Sequence, residues 1–144
     1  MFTLTLVTPE KRLVTGQEVE EVFIPGWSGE LEVLPGHAPL LTLLQTGVLR
    51  YRLKGESTSH AVAVSSGYAQ VNPTGVNVLA ETAERPEEID VARALEAGKN
   101  AEARLATQNE EPELIVKMQR KVTRARVRKE VSTLGNGGGS GTKH

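Results

Sequence analysis

The chain has 144 residues, no cysteine, 17 basic against 18 acidic side chains and a net charge of −1. That length suits one modest domain, or a small core carrying an appendage that cannot bury a core of its own. The missing cysteine excludes a disulfide framework and thiolate chemistry, and the balanced charge gives the molecule as a whole no electrostatic reason to seek nucleic acid or an anionic membrane.

The N-terminal MFTLTLVTPEKR has no basic segment leading into an apolar run, and no stretch of about eighteen apolar residues occurs, so the expectation is a chain neither exported nor membrane-spanning. From Phe2 to about Ala83 the pattern predicts short strands. Phe2, Leu4 and Leu6 alternate with Thr3, Thr5 and Val7, and Val19, Val22 and Ile24 follow among glutamates with a slip of phase that suits a bulge. Leu49, Tyr51 and Leu53 alternate with Arg50, Arg52 and Lys54, and Val76, Val78 and Ala80 alternate with Asn77, Leu79 and Glu81. Gly16, Pro25 with Gly26, Lys54 with Gly55, Ser66 with Gly67, and the run Asn72 to Gly75 are expected to supply turns. Many short strands at this spacing predict an all-β sandwich or barrel.

Within that half lies LPGHAPLL, from Leu34 to Leu41. Pro35 and Pro39 fix φ and Gly36 permits positive φ, so the segment reads as a rigid turn with His37 capping it or facing water. Leu40, Leu41, Leu43 and Leu44 are denser than strict alternation can bury. The exposed part of that set is expected to be a protein-binding surface.

After Ala83 the composition shifts to Ala, Glu, Arg and Leu. Asp90 is a good N-cap, with Ile89 before it placed to staple against Ala94. Val91, Ala94, Leu95, Gly98, Ala101 and Leu105 then form a helical stripe of mostly small residues, which lets another helix approach closely. The polar break TQNEEP ends at Pro112, which suits the first turn of a second helix whose apolar face is Leu114, Ile115, Met118, Val122 and Ala125. The two make an antiparallel hairpin too thin to stand alone, so it is expected to dock on its own β-domain or on a partner. The expected organisation is a β-domain over 1–84, a helical hairpin over 85–134, and a disordered Gly-rich tail over 135–144.

Catalytic motifs are missing. There is no phosphate loop of the GxxxxGK[ST] type, no HExxH and no GxSxG. The histidines His37, His60 and His144 are scattered, whereas a metal-dependent β-barrel hydrolase would need clustered ligands such as His37 with His60. No catalytic residue and no metal ligand is therefore assigned. The second helix carries seven basic residues, Lys117, Arg120, Lys121, Arg124, Arg126, Arg128 and Lys129, against Glu113 and Glu130. Such a face is either an ordinary solvated stripe or a contact for an acidic partner or a phosphate; nucleic acid fits poorly, because no aromatic residue is interleaved for stacking. A freestanding β-sandwich binding module remains open at this point.

Taken together, VTP (Val7 to Pro9), SGE, LPGHAPLL, the VxxGY segment (Val64 to Tyr68), VNVLAETAE and EIDVARA resemble the epsilon subunit of bacterial F-type ATP synthases, from about Phe2 to about Lys129. The resemblance implies a β-sandwich followed by an antiparallel two-helix hairpin, with no enzyme activity of its own. It implies a place in the central stalk beside the gamma subunit and on the c-ring, at the cytoplasmic face of the bacterial inner membrane, with membrane association only through the complex. Carried over by position, Ser28, Gly29 and Glu30 would face the c-ring, and Thr8 and His37 would face gamma. Glu32 stands where the family usually has glycine. The hairpin would restrain ATP hydrolysis when extended into the catalytic alpha/beta head, through Arg120, Lys121, Arg124, Arg126 and Arg128. EIDVARA also resembles an ATP-binding pattern, which implies no required cofactor but ATP as a regulatory ligand of Glu84, Ile89, Asp90, Arg93, Ala94, Arg124 and Arg128.

Overall fold

The computed structural model describes residues 1–106 and 112–139, with side chains described as far as residue 134. Among them are β1 (Thr3–Val7), β2 (Arg12–Gly26), β3 (Gly29–Val33), β4 (Leu40–Leu43), β5 (Gly47–Leu53), β6 (His60–Asn72) and β7 (Gly75–Glu84), then a short 3-10 turn (Pro86–Glu88), α1 (Val91–Leu105) and α2 (Pro112–Gly139). β1 lies parallel to β7 and antiparallel to β2, so the order β1-β7-β6-β5-β2 closes on itself, with β3 added to β2 and β4 to β6. Closure leaves few free edges.

The alternation is realised as the sequence predicts. Phe2, Leu4, Leu6, Val22, Ile24, Leu49, Tyr51, Val76, Val78 and Ala80 are buried in one core with Val14, Val33, Val62, Val64 and Val71. The slip of phase near Val19 is a register shift in the β2–β5 pairing between Val19 and Glu21. Glu32 keeps a negative φ and pairs in register with Phe23, so the strand accepts a residue that could not take a left-handed conformation cheaply.

Some expected turns are instead irregularities inside long strands. Gly16 (φ 58°) sits within β2, and Pro25 with Gly26 closes that strand before the turn at Trp27 and Ser28. Ser66 (φ 48°) and Gly67 (φ 117°) lie within β6, where the strand leaves β5, paired as far as Val64, and takes up β4 from Tyr68. A Cβ on Gly67 would overlap the Leu79 carbonyl oxygen, so only glycine permits this corner.

The chain leaves the sheet under tight control. Arg85 donates to the Leu13 carbonyl oxygen and to the Tyr51 hydroxyl (3.2 Å), and the Glu88 carboxylate accepts from the Arg85 backbone N–H (2.9 Å) while pairing with Lys11. Asp90 is the N-cap of α1, accepting from the Arg93 N–H at 3.0 Å. Of the predicted α1 stripe only Ala94, Gly98 and Ala101 are buried, and Leu95 remains exposed. Met118 and Ala125 are the buried residues of the predicted α2 face.

The hairpin is folded onto its own β-domain. Val127 and Val131 of α2 join Ala61 and Ala63 of β6 in a second apolar cluster, with Val48 and Ile89 packed against it. Ile89 thus serves the docking cluster. α2 is also longer than the sequence suggests: it is helical through Gly139, past the expected start of the tail at 135, while residues 140–144 and the linking residues 107–111 lie outside the described residues.

Candidate functional sites

The close approach of α1 and α2 leaves a groove between them. At its β-domain end Glu84, Asp90, Arg93, Ala94 and Arg128, drawn from β7 and both helices, line a cavity of about 380 Å³ together with Glu88 and Ala97. A second cavity of about 360 Å³ shares Ala94, Ala97 and Arg128 and continues past Arg124, Lys121, Arg104 and Asn100. Six of the seven residues assigned to a nucleotide are therefore brought to one groove. The seventh, Ile89, lines neither cavity, because its side chain turns into the apolar docking cluster.

Arg128 donates to the Glu84 carboxylate at 2.6 Å, both side chains being about one-third exposed or less. One Asp90 oxygen is already engaged at the α1 N-terminus. The carboxyl of Glu88 is held below the usual carboxylate range, first by the hydrogen bond from Lys11 and then by the Arg85 N–H. Sequence reasoning did not assign Glu88 to this groove, and it assigned Lys121 only to the contact with the catalytic head. The spacing 121, 124, 128 was the available signal, since residues three and four apart share a helix face.

The residues assigned on the sandwich lie in or beside its turns. Ser28 shares the β2–β3 turn with Trp27, Gly29 (φ 127°) opens β3, and Glu30 in that strand pairs with Arg50 at 3.1 Å. Thr8 builds its own turn, its Oγ1 accepting from the Lys11 N–H at 3.1 Å. His37 Nδ1 donates to the Ala38 carbonyl oxygen at 2.7 Å, and the Gly36 N–H ties this loop to the Pro73 carbonyl at 3.0 Å. His60 is elsewhere, bonded to Glu56 at 2.8 Å and stacked on Tyr51, so His37 and His60 have separate roles. Among the described residues no group of three His, Cys, Asp or Glu could hold a metal ion.

The leucine-rich segment divides as expected. Leu44 is buried, whereas Leu40, Leu41 and Leu43 are exposed. Cross-strand register extends the surface beyond what the segment itself announced: Leu43 stands opposite Tyr68, and Tyr68 opposite Leu79, giving an exposed apolar row across β4, β6 and β7. Trp27, 66% exposed, is held beside it by its backbone N–H, which donates to the Leu43 carbonyl oxygen. Arg120, Lys121, Arg124 and Arg126 of α2 are also exposed, with Arg128 half-buried.

Two family models account for both halves of the chain: ATP synthase, Delta/Epsilon chain, beta-sandwich domain over residues 1–86, and ATP synthase, Delta/Epsilon chain, long alpha-helix domain over residues 87–132. The chain belongs to this family. It is 44% identical over 129 residues to an ATP synthase epsilon chain of Dehalococcoides mccartyi, covering 90% of each chain. An epsilon chain of Koribacter versatilis is 52% identical over 110 residues, 76% of this chain and 75% of that one. The epsilon chain of Bdellovibrio bacteriovorus is 57% identical over 88 residues, but the match spans 61% of this chain and 63% of the relative, less than two thirds of its length. A solved chain from the Euglena gracilis mitochondrial ATP synthase, described as OSCP/F1/c-ring, shares the fold with a TM-score of 0.79 at 23% identity, covering 90% of this chain and 79% of that one. Membership makes this an epsilon-type, non-catalytic subunit of a rotary ATP synthase, and the binding-module and metal-hydrolase readings are not favoured. No helix among the described residues is long and apolar enough to cross a membrane.

Proposed function

We propose that this subunit couples rotation of the c-ring to ATP synthesis in the alpha/beta head from a position in the central stalk, at the cytoplasmic face of the bacterial membrane. The exposed row Leu43, Tyr68 and Leu79, with Trp27 and Leu41 beside it, is the gamma-binding surface, flanked by Thr8 and His37; the Ser28 to Glu30 turn meets the c-ring. A contiguous apolar row on a small soluble sandwich is the single observation that carries this reading, because such surfaces mark interfaces. Tagged full chain should capture gamma from a mixture of the separated subunits. Leu43→Asp together with Tyr68→Ser should abolish capture while leaving the melting temperature within a few degrees, since both side chains are exposed; retained capture would move the interface elsewhere.

The hairpin is the regulatory element of the same reading. Folded, it keeps Lys121, Arg124 and Arg128 on the groove between the helices; extended, the basic face of α2 would be presented to the catalytic head and would restrain hydrolysis. ATP in the groove stabilises the folded form, because a ligand that binds one conformer shifts the population toward it. Calorimetry of the full chain should give one ATP site, weakened in Arg93→Ala; absence of heat at millimolar ATP would remove the nucleotide from this scheme and leave the stalk assignment intact.

A further inference from the structure

The chain leaves the sandwich through a turn that is bonded into it. Arg85, held extended before Pro86, donates to the carbonyl oxygen of Leu13 in β2 and to the hydroxyl of the buried Tyr51 in β5 at 3.2 Å. Glu88 closes the turn: its N–H donates to the Arg85 carbonyl oxygen (3.0 Å), its carboxylate accepts from the Arg85 N–H (2.9 Å), and Lys11 pairs with it. Ile89 ends this block, its N–H donating to the Pro86 carbonyl oxygen at 3.2 Å. The next block is α1, which begins where the Asp90 carbonyl oxygen accepts from the Ala94 N–H at 2.9 Å and the Asp90 carboxylate accepts from the Arg93 N–H at 3.0 Å. Between the two blocks stands one peptide group, the Ile89 carbonyl with the Asp90 N–H, that makes no hydrogen bond among the described residues.

Rotation about ψ of Ile89 (122°) and φ of Asp90 (−84°) therefore breaks no backbone hydrogen bond, which is what a hinge requires. Side-chain packing is what opposes it. α1 buries Ala94, Gly98 and Ala101 and rests on α2, whereas it is α2 that meets β5 and β6. The Ile89 side chain lies on the sandwich side of the unbonded peptide, packed against the cluster that Ala61 and Ala63 make with Val127 and Val131. Resting on the reading of the hairpin as a regulatory element, we infer that both helices swing as one body about the Ile89–Asp90 peptide, while Arg85 to Ile89 stay on the sandwich as the fixed half of the joint. Ile89 then belongs to the seat that α2 leaves, together with Ala61 and Ala63. Arg85 holds that seat, because its guanidinium reaches two strands at once.

The test is backbone NMR relaxation of the full chain, comparing wild type with the double variant Val127→Asp, Val131→Asp, which places charge in the seat. The sandwich core is a separate cluster, so the resonances of Leu4 and Val78 should stay where they are. In the variant, order parameters of Arg85 to Glu88 should remain those of β7, near the rigid value of about 0.85, and fall from Asp90 onward toward the mobile range below about 0.6. Ile89→Ser, which cuts the seat from the sandwich side without touching α2, should give the same boundary. Adding Arg85→Ala should move the boundary back to Glu84. A fall that already begins at Glu84 or Arg85 in the double variant would place the joint before the turn, and a hairpin still docked would deny the seat its hold; either result overturns the inference. A boundary unmoved by Arg85→Ala would overturn the role of Arg85. The measurement uses the isolated chain, so it stands or fails separately from any effect of the hairpin on ATP hydrolysis, which is read in the assembled enzyme.

Discussion

Gly98 of α1 and Ala125 of α2 face each other so closely that a Cβ built on Gly98 would lie 2.9 Å from the Cβ of Ala125. Both atoms are fixed to helical backbone and neither can rotate away, so the helices themselves would have to separate. Gly98→Ala therefore opposes two effects. Overpacking costs about 1–3 kcal/mol and the gain in helix propensity returns up to about 1 kcal/mol, so the hairpin should lose about 1 kcal/mol, or roughly fivefold in its folded-to-open ratio. Limited proteolysis should cut the hairpin faster while the β-domain keeps its melting transition. A hairpin as resistant as wild type would mean the helices part without cost.

The Glu84 to Arg128 pair ties α2 to the last strand of the sandwich at 2.6 Å. Glu84→Gln keeps the shape and removes the charge, so amide exchange in the second half of α2 should accelerate. The pair is partly solvated, and the expected loss is about 0.5–1 kcal/mol, lower at high salt. Exchange that accelerates equally in β7 would instead point to a defect in the strand.

Lys11 and Glu88 pin the linker to the β1–β2 turn, and the depressed pKa of Glu88 fixes the sign of a pH effect. A carboxylate whose folded value lies below its unfolded one contributes stability above the unfolded value and loses it as pH falls through the folded one. The stability difference between wild type and Lys11→Met should thus be present at pH 7 and shrink as acid carries the pH below the ordinary carboxylate range and protonates Glu88. A difference that does not change with pH would deny the pair any role in holding the linker.

Much of this molecule was legible because strands and helices impose different periods on their buried residues. Leu4, Leu6, Leu49 and Val78 declare the sandwich by alternation, and Asp90 with Pro112 declares where the helices begin. What stayed hidden depends on contacts between distant segments. Ser66 and Gly67 look like a turn because their dihedrals are those of a turn, yet they bend a strand that changes partners. Val127 and Val131 fall off the stripe that meets α1 because they serve a different neighbour, the Ala61 and Ala63 face of β6. In the groove, Glu84 and Arg128 are far apart in sequence, and Ile89 left the site because its apolar side chain is better buried under α2. Periodicity reports which face is apolar; it does not report against what.

Arg120 and Arg126 are exposed and line neither cavity, unlike Lys121, Arg124 and Arg128. The distinction separates two proposed functions of one basic helix. If inhibition rests on the charge that an extended α2 presents to the catalytic head, Arg120→Ala with Arg126→Ala should raise ATP hydrolysis by the assembled enzyme without changing ATP binding to the isolated chain. The effect should diminish with added salt, because exposed charges are screened over about 8–10 Å at physiological ionic strength. Replacing Arg128 would be less clean, since it also releases Glu84 and loosens the folded hairpin. Hydrolysis unchanged at low salt in the double variant, with full assembly verified, would leave Arg120 and Arg126 as solvated surface and place any inhibitory contact on the residues that the folded groove holds back.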